Sequence, residues 1–103
     1  MKVIWQKPAQ AGRRNVSAYI RREFGSKREK KFRELVGQTV EMLMRSPAIG
    51  HLDPLLSGRV KPYRSVIING LSKVVYYVEN DTIYIAAFWD TRMEPVGRAA
   101  EVK

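Results

Sequence analysis

Hydrophobic and polar residues recur with two different periods along this chain of 103 residues. In the first half, apolar residues are spaced three and four apart, as they are on one face of a helix. In the second half, three short runs rich in β-branched and aromatic residues are separated by Asn69-Gly70 and Asn80-Asp81. The change of period predicts a helical half followed by a sheet half.

The helical half is predicted to contain a short strand and two helices. Residues 2–5 form the strand, and a first helix over 9–24 ends at Gly25. A second helix starts at Ser26, because Ser26 with Glu29 three residues later is a capping-box pattern. The apolar stripes are Val16, Tyr19, Ile20 and Phe24 in the first helix, and Phe32, Leu35, Val36, Val40, Leu43 and Met44 in the second.

The sheet half is predicted to be an antiparallel meander of three strands, over 63–68, 73–79 and 82–89. Asn-Gly between such runs is a strong hairpin signal, because both central residues of a type I′ turn need positive φ. Residues 46–62 contain three Pro and two Gly and predict an irregular connector. The predicted fold class is α+β, with the helical hairpin packed on one face of the sheet.

Two-residue turns would set which side chains share a face of the sheet, because side chains alternate along a strand. Residue 66 would then oppose 73, and 77 would oppose 84. One face would carry Arg64, Val66, Lys73, Tyr77, Tyr84 and Phe88. The other would form the core under the helices, with Ile67, Val74, Tyr76, Val78, Ile83, Ile85 and Trp89.

Composition narrows the class of protein. The chain is 45% hydrophobic and contains no cysteine, so it has neither a disulfide framework nor a thiolate metal site. No apolar run reaches the roughly 18–20 residues of a membrane span, and we expect a soluble, cytoplasmic protein. A single domain over 1–103 is predicted, with 96–103 as a flexible tail. We expect no metal and no cofactor, since the only histidine, His51, has no acidic cluster beside it.

Positive charge is concentrated in the helical half. The formal net charge is +9, and residues 1–46 account for +8 of it, with twelve Lys and Arg against four Glu. Such an excess suggests an anionic partner, although a solvated helix face is the common alternative.

The chemistry open to these residues is that of cations beside aromatic rings. Such a surface suits RNA, since cations neutralise phosphates and rings stack on unpaired bases. Arg64, Lys73 and Arg92 could stabilise charge at a scissile phosphate. Arg64 and Lys73 could equally be ordinary exposed positions of a sheet.

Taken together, strand, helical hairpin, connector and meander resemble the RelE/ParE superfamily of bacterial toxin–antitoxin toxins. The resemblance is carried by Tyr63-Arg64-Ser65-Val66, by Ser72-Lys73-Val74-Val75-Tyr76-Tyr77-Val78, by Ile83-Tyr84-Ile85 and by the segment from Trp89 to Pro95. It implies a toxin that an acidic segment of a cognate antitoxin neutralises, in a hetero-oligomer.

The resemblance implies two alternative targets. The RelE-like branch cleaves messenger RNA on the ribosome without a metal, and the matching catalytic residues here are Arg64, Lys73 and Arg92. Arg59, Lys61 and Tyr77 would help to bind the RNA. Val66 differs from the lysine common in that branch, and no tyrosine or histidine follows Arg92.

The ParE-like branch inhibits DNA gyrase without catalysis. Its docking surface here would be the basic hairpin, with Arg13, Arg14, Arg21 and Arg28. A third possibility is a degenerate, non-toxic member that binds its antitoxin or operator DNA.

Overall fold

The elements follow the order that the hydrophobic pattern predicts, with one addition. The computed structural model describes residues 1–91, so Arg92 and the predicted tail 96–103 lie outside the described residues. The elements are β1 (Lys2–Trp5), α1 (Lys7–Phe24), α2 (Ser26–Arg45), β2 (His51–Leu52), a 3₁₀ turn (Pro54–Leu56), β3 (Arg64–Ile68), β4 (Ser72–Glu79) and β5 (Thr82–Asp90).

The predicted α+β class is confirmed. Within residues 1–91, five strands form one sheet in the order β1-β5-β4-β3-β2, in which β1 runs parallel to β5 and the other pairs are antiparallel. The added strand is β2, a two-residue pairing of His51 and Leu52 with Ser65 and Arg64. A pairing this short inside the connector leaves no periodic signal in the sequence.

The capping box predicted at the start of the second helix is wrong. Ser26 is the first residue of α2, and no side chain caps that end. The turn between the helices is made at Gly25, whose φ of 92° favours glycine. Glu29 is instead buried against α1, where its carboxylate accepts a hydrogen bond from Ser17 Oγ at 2.9 Å and pairs with Arg33 Nε at 2.8 Å.

The main core lies between the hairpin and the sheet. Its buried members come from all the large elements: Ala9, Val16, Phe32, Val36, Leu43, Ile68, Val74, Tyr76, Ile83, Ile85 and Phe88. A second apolar cluster covers the opposite face of the sheet, with Leu56, Tyr63, Val75, Tyr77, Ala86, Ala87 and Trp89. The central strands are therefore buried on both faces.

The predicted register of the first hairpin is wrong by one residue. Asn69 and Gly70 have positive φ, as predicted, but Ile68 pairs with Ser72 and leaves Leu71 as a third loop residue. Leu71 N donates a hydrogen bond to Ile68 O at 3.0 Å across this loop, and Leu71 O accepts hydrogen bonds from Thr91 N and Thr91 Oγ1 beyond the end of β5. A slip of one residue exchanges the faces of a strand.

A β-bulge in β5 changes the register a second time. Glu79 pairs with Thr82 across a two-residue turn, as predicted, and Tyr77 opposes Tyr84. Tyr76 then pairs with Ile85 but Val75 pairs with Ala87, so Ala86 is the extra residue. Phe88 consequently joins the main core and Trp89 the second cluster, the reverse of the sequence-based assignment.

Candidate functional site

Lys73, a predicted catalytic residue, is an anchor for the connector. Its Nζ lies 2.6 Å from Asp53 Oδ2, and the two side chains are 13% and 1% exposed. The ammonium also lies 5.3 Å from the centre of the Trp89 ring. Asp53 Oδ1 accepts a hydrogen bond from Leu55 N and so caps the 3₁₀ turn. The ion pair therefore fastens the connector to the second face of the sheet.

Arg64, the second predicted catalytic residue, lies on the other face of the sheet. It pairs with Tyr76 in the ladder, and its Nη1 donates to the carbonyl oxygen of Gly50 at 2.8 Å. Lys73 pairs with Ile67, three positions along β3, so the two cations point to opposite faces. The prediction that Arg64 and Lys73 share a face is wrong, because Leu71 shifts the register.

Tyr76 completes the attachment of the connector beside Arg64. Its hydroxyl accepts a hydrogen bond from Gly50 N at 2.9 Å and donates one to Pro47 O at 2.7 Å. The ring is fully buried, and burial raises the pKa of the hydroxyl above the usual value for tyrosine. Gly50 has no room for a side chain, since a Cβ there would lie 2.6 Å from the Tyr76 oxygen.

The three residues predicted to bind RNA lie on the second face and its rim. Lys61 pairs with Glu79, and that hydrogen bond raises the pKa of the ammonium. Lys61 Nζ also lies 5.4 Å from the centre of the Tyr77 ring. Tyr77 is 8% exposed and stacks on Tyr84 at 4.9 Å, so it offers little ring surface to a base. Arg59 is exposed in the connector and lines a shallow hollow there.

The four arginines predicted as a docking surface are all exposed, but they belong to two different surfaces. Arg13 and Arg14 border a hollow of about 260 Å³ between the helices, which we call the arginine cleft. Its lining is Arg13, Arg14, Ser17, Arg33 and Val36. Arg21 lies on α1 two turns beyond Arg14.

Arg28 borders a different surface, an apolar groove of about 320 Å³ between the hairpin and one end of the sheet. The groove is lined mainly by Ile20, Phe24, Phe32, Leu35, Ile68 and Leu71, with Arg28 and Lys31 on its helical side and Asn69, Ser72 and Asp90 from the sheet. Phe24 is 53% exposed and Leu71 is 43% exposed. This is an apolar surface with cations beside it.

Several of these residues were missed by sequence reasoning. Asp53 precedes Pro54 at the start of a short turn, which is an N-cap signal that could have found it. Arg33 follows Glu29 by four residues, the spacing of an ion pair on a helix. The partner of Asp53 is twenty residues away in sequence, and no local pattern identifies it.

Two classes of feature are not found in residues 1–91. No three His, Asp or Glu side chains come close enough there to bind a metal ion together. Neither of the long helices in this range is apolar enough to cross a membrane.

Comparison with known proteins identifies the family. A small α+β domain with a helical hairpin on a mostly antiparallel sheet defines the general class of RelE/ParE-like folds. The family described as "ParE toxin of type II toxin-antitoxin system, parDE" matches residues 3–95. The chain therefore belongs to the ParE toxin family, and the resemblance to toxin–antitoxin toxins is confirmed.

Solved structures support the fold. A chain described as "Chromosomal ParDE TA system from P. aeruginosa" superposes with a TM-score of 0.70 at 16% identity. The match covers 87% of this chain and 95% of that one. Among curated proteins, no match is found.

Proposed function

We propose that this toxin inhibits DNA gyrase by binding it and does not cleave RNA. The observation that carries the proposal is that Lys73 is held in an internal ion pair and that Arg64 lies on the other face of the sheet. Lys73 is paired with a buried carboxylate, and Arg64 is bonded to a backbone carbonyl oxygen. Inhibition of gyrase is the activity that the resemblance implies for the ParE-like branch.

A ribonuclease needs its cations directed at one phosphate. Transition-state stabilisation depends on donors preorganised toward the position where charge develops. Arg64 and Lys73 lie on opposite faces of the sheet, so they cannot both contact one scissile phosphate in this arrangement. Withdrawing Lys73 from Asp53 would also leave a buried carboxylate unpaired.

The exposed charge of the helical hairpin is available for a binding mechanism. Arg14, Arg21 and Arg28 are exposed. A binding inhibitor needs a surface with charge that complements its target, and it needs no proton-transfer group.

Two assays with the same purified chain test the proposal. We expect the chain to block supercoiling of relaxed plasmid by gyrase, and to leave messenger RNA intact in a cell-free translation reaction followed by primer extension. New ribosome-dependent 5′ ends with normal supercoiling would establish the ribonuclease alternative. If the chain neither blocks supercoiling nor cleaves RNA, it is a non-toxic member of the family.

Charge reversal locates the gyrase-binding surface. We expect Arg21→Glu with Arg28→Glu to raise the concentration needed for half inhibition at least tenfold. The matched control is Arg45→Glu with Lys7→Glu, which changes net charge equally at the other end of the hairpin. Equal effects of the two double variants would show that total charge, not this surface, governs inhibition.

We further propose that the acidic segment of a cognate antitoxin binds the apolar groove. An amphipathic acidic segment could bury Phe24 and Leu71, both partly exposed, and place its carboxylates near Arg28 and Lys31. This assignment gives the hetero-oligomer expected of a toxin–antitoxin pair a specific interface.

A further inference from the structure

We infer that the arginine cleft is a binding site for the phosphate backbone of duplex DNA. The site is separate from the apolar groove, and binding is measurable without gyrase. If the duplex does not bind, the gyrase proposal is unaffected. If gyrase is not inhibited, the inference about DNA binding is unaffected.

The charge of the cleft is the first observation. Among the described residues, Arg13, Arg14 and Arg33 line it, and Glu29 pairs with Arg33 Nε at 2.8 Å. Three arginines against one glutamate leave an excess of two positive charges. A guanidinium has five N–H donors, so the pair through Nε leaves Arg33 with donors on its terminal nitrogens.

Contacts with other side chains position two of the three arginines of the cleft. Arg13 is placed over the Trp5 ring, with its guanidinium carbon 4.8 Å from the ring centre. Glu29 forms an ion pair with Arg33 and also accepts a hydrogen bond from the hydroxyl of Ser17, so α1 and α2 are joined at the base of the cleft. Preorganised cations lose less conformational entropy when an anion binds.

Gly37 is a position on α2 where bulk can be added near the cleft. Gly37 lies one turn after Arg33 on the same stripe of α2, and a Cβ there would meet nothing within 4 Å. Glycine inside a helix costs about 1 kcal/mol relative to alanine. A side chain added at Gly37 would therefore project into open space one turn from Arg33.

The polarity of the cleft favours phosphates over a protein partner. Among the described residues, Val36 is the only apolar one that lines the cleft, and it is 5% exposed, whereas protein interfaces are anchored by exposed apolar and aromatic side chains. Interfaces with DNA are more polar and more positive. The apolar groove has the opposite character, and it suits a protein.

The arrangement also favours a duplex over single strands. Single-stranded nucleic acid is bound by exposed rings on which bases stack. The ring beside the cleft is Trp5, which is half-buried and covered by Arg13. Arg14 and Arg21 extend the cations over about 10 Å of α1, a length in which one strand of DNA carries about three phosphates.

Fluorescence anisotropy of a labelled 20-base-pair duplex with the intact chain tests this inference. We expect binding that weakens between 50 and 200 mM salt with a logarithmic slope of about −3. Arg14→Gln should weaken binding about fivefold and reduce the slope by about one, whereas Arg45→Gln should change affinity less than twofold. Equal losses in the two variants would overturn the site.

A second variant separates binding from folding. Gly37→Gln adds bulk beside the cleft, and we expect weaker DNA binding together with a higher free energy of unfolding. Unchanged affinity in Gly37→Gln would contradict the inference. A polyglutamate peptide of equal charge that binds the cleft as tightly as the duplex would also overturn it, in favour of an acidic protein partner.

Discussion

Gly12 brings α1 into contact with the backbone of β5. A Cβ at this position would lie 1.9 Å from the carbonyl oxygen of Phe88 and 2.9 Å from its carbonyl carbon. Both atoms belong to the backbone of a buried strand, so the helix would have to move.

We therefore expect Gly12→Ala to lower the free energy of unfolding by at least about 1–3 kcal/mol, as overpacking does. Urea denaturation measures the change. The matched control is Gly37→Ala in α2, where a Cβ meets nothing, and it should stabilise the chain by about 0.5–1 kcal/mol. Stabilisation by both substitutions would mean that α1 does not approach β5 this closely.

Tyr76 is a second residue with a local effect that can be measured. Tyr76→Phe removes the acceptor of Gly50 N and the donor to Pro47 O. Leaving those buried groups unpaired should cost about 1–3 kcal/mol in urea denaturation at pH 8.

The pH dependence of that difference follows from the raised pKa of Tyr76. Burial favours the neutral hydroxyl in the folded state, while the unfolded tyrosine loses its proton near pH 10. The contribution of the Tyr76 hydroxyl to the free energy of unfolding is fully present below about pH 10 and is lost as the pH rises through the folded-state pKa. The gap between wild type and Tyr76→Phe should therefore narrow at pH 10.5, and parallel curves would contradict this account.

At the scale of elements, the connector depends on the ion pair between Lys73 and Asp53. Lys73→Met leaves the Asp53 carboxylate buried without its cation, which should lower the free energy of unfolding by about 3–5 kcal/mol. Asp53→Asn in the same chain removes the uncompensated charge and keeps an oxygen for Leu55 N. The double variant should recover a large part of the loss.

The same pair of variants distinguishes an anchor from a catalytic group. If Lys73 only holds the connector, growth inhibition should fall in Lys73→Met in proportion to the unfolded fraction and return in the double variant. A catalytic lysine would not be rescued by changing Asp53. Persistent loss of toxicity in a stably folded double variant would revive the ribonuclease hypothesis.

At the scale of the whole molecule, charge and apolar surface are separated. The helical half carries +8 of the net +9 charge, and the apolar groove lies where that half meets the sheet. The arrangement allows an acidic partner to be attracted by the helices and anchored in the groove.

We expect Leu71→Glu to weaken the complex with the antitoxin at least tenfold, measured by titration calorimetry. The change removes apolar surface from the groove and adds a charge that repels an acidic segment. Ile67→Glu is the matched control, because Ile67 is 51% exposed on β3 and does not line the groove. Equal weakening by both would place the antitoxin elsewhere.

The features that were predictable from sequence are those with local causes. The bounds of β1 and the type of both helices follow from periodicity, and the turn at Asn80-Asp81 follows from residues that tolerate positive φ. The family was also recognisable, because element order and short motifs are properties of the chain. Ser26 and Glu29 show the limit of such rules, since the burial of Glu29 against α1 overrode a local cap.

The face of the sheet on which each residue lies could be determined only from the tertiary structure. Side chains alternate with a period of two, so the extra loop residue Leu71 exchanged the faces of β3 relative to β4, and the bulge residue Ala86 exchanged the faces of the residues that follow it in β5. The amino-acid sequence by itself determined the class of fold, the basic helical hairpin and the membership of a toxin family. Only the tertiary structure decided that Arg64 and Lys73 face opposite ways and anchor the connector, because their partners lie far away in the chain and meet them only when the sheet has formed.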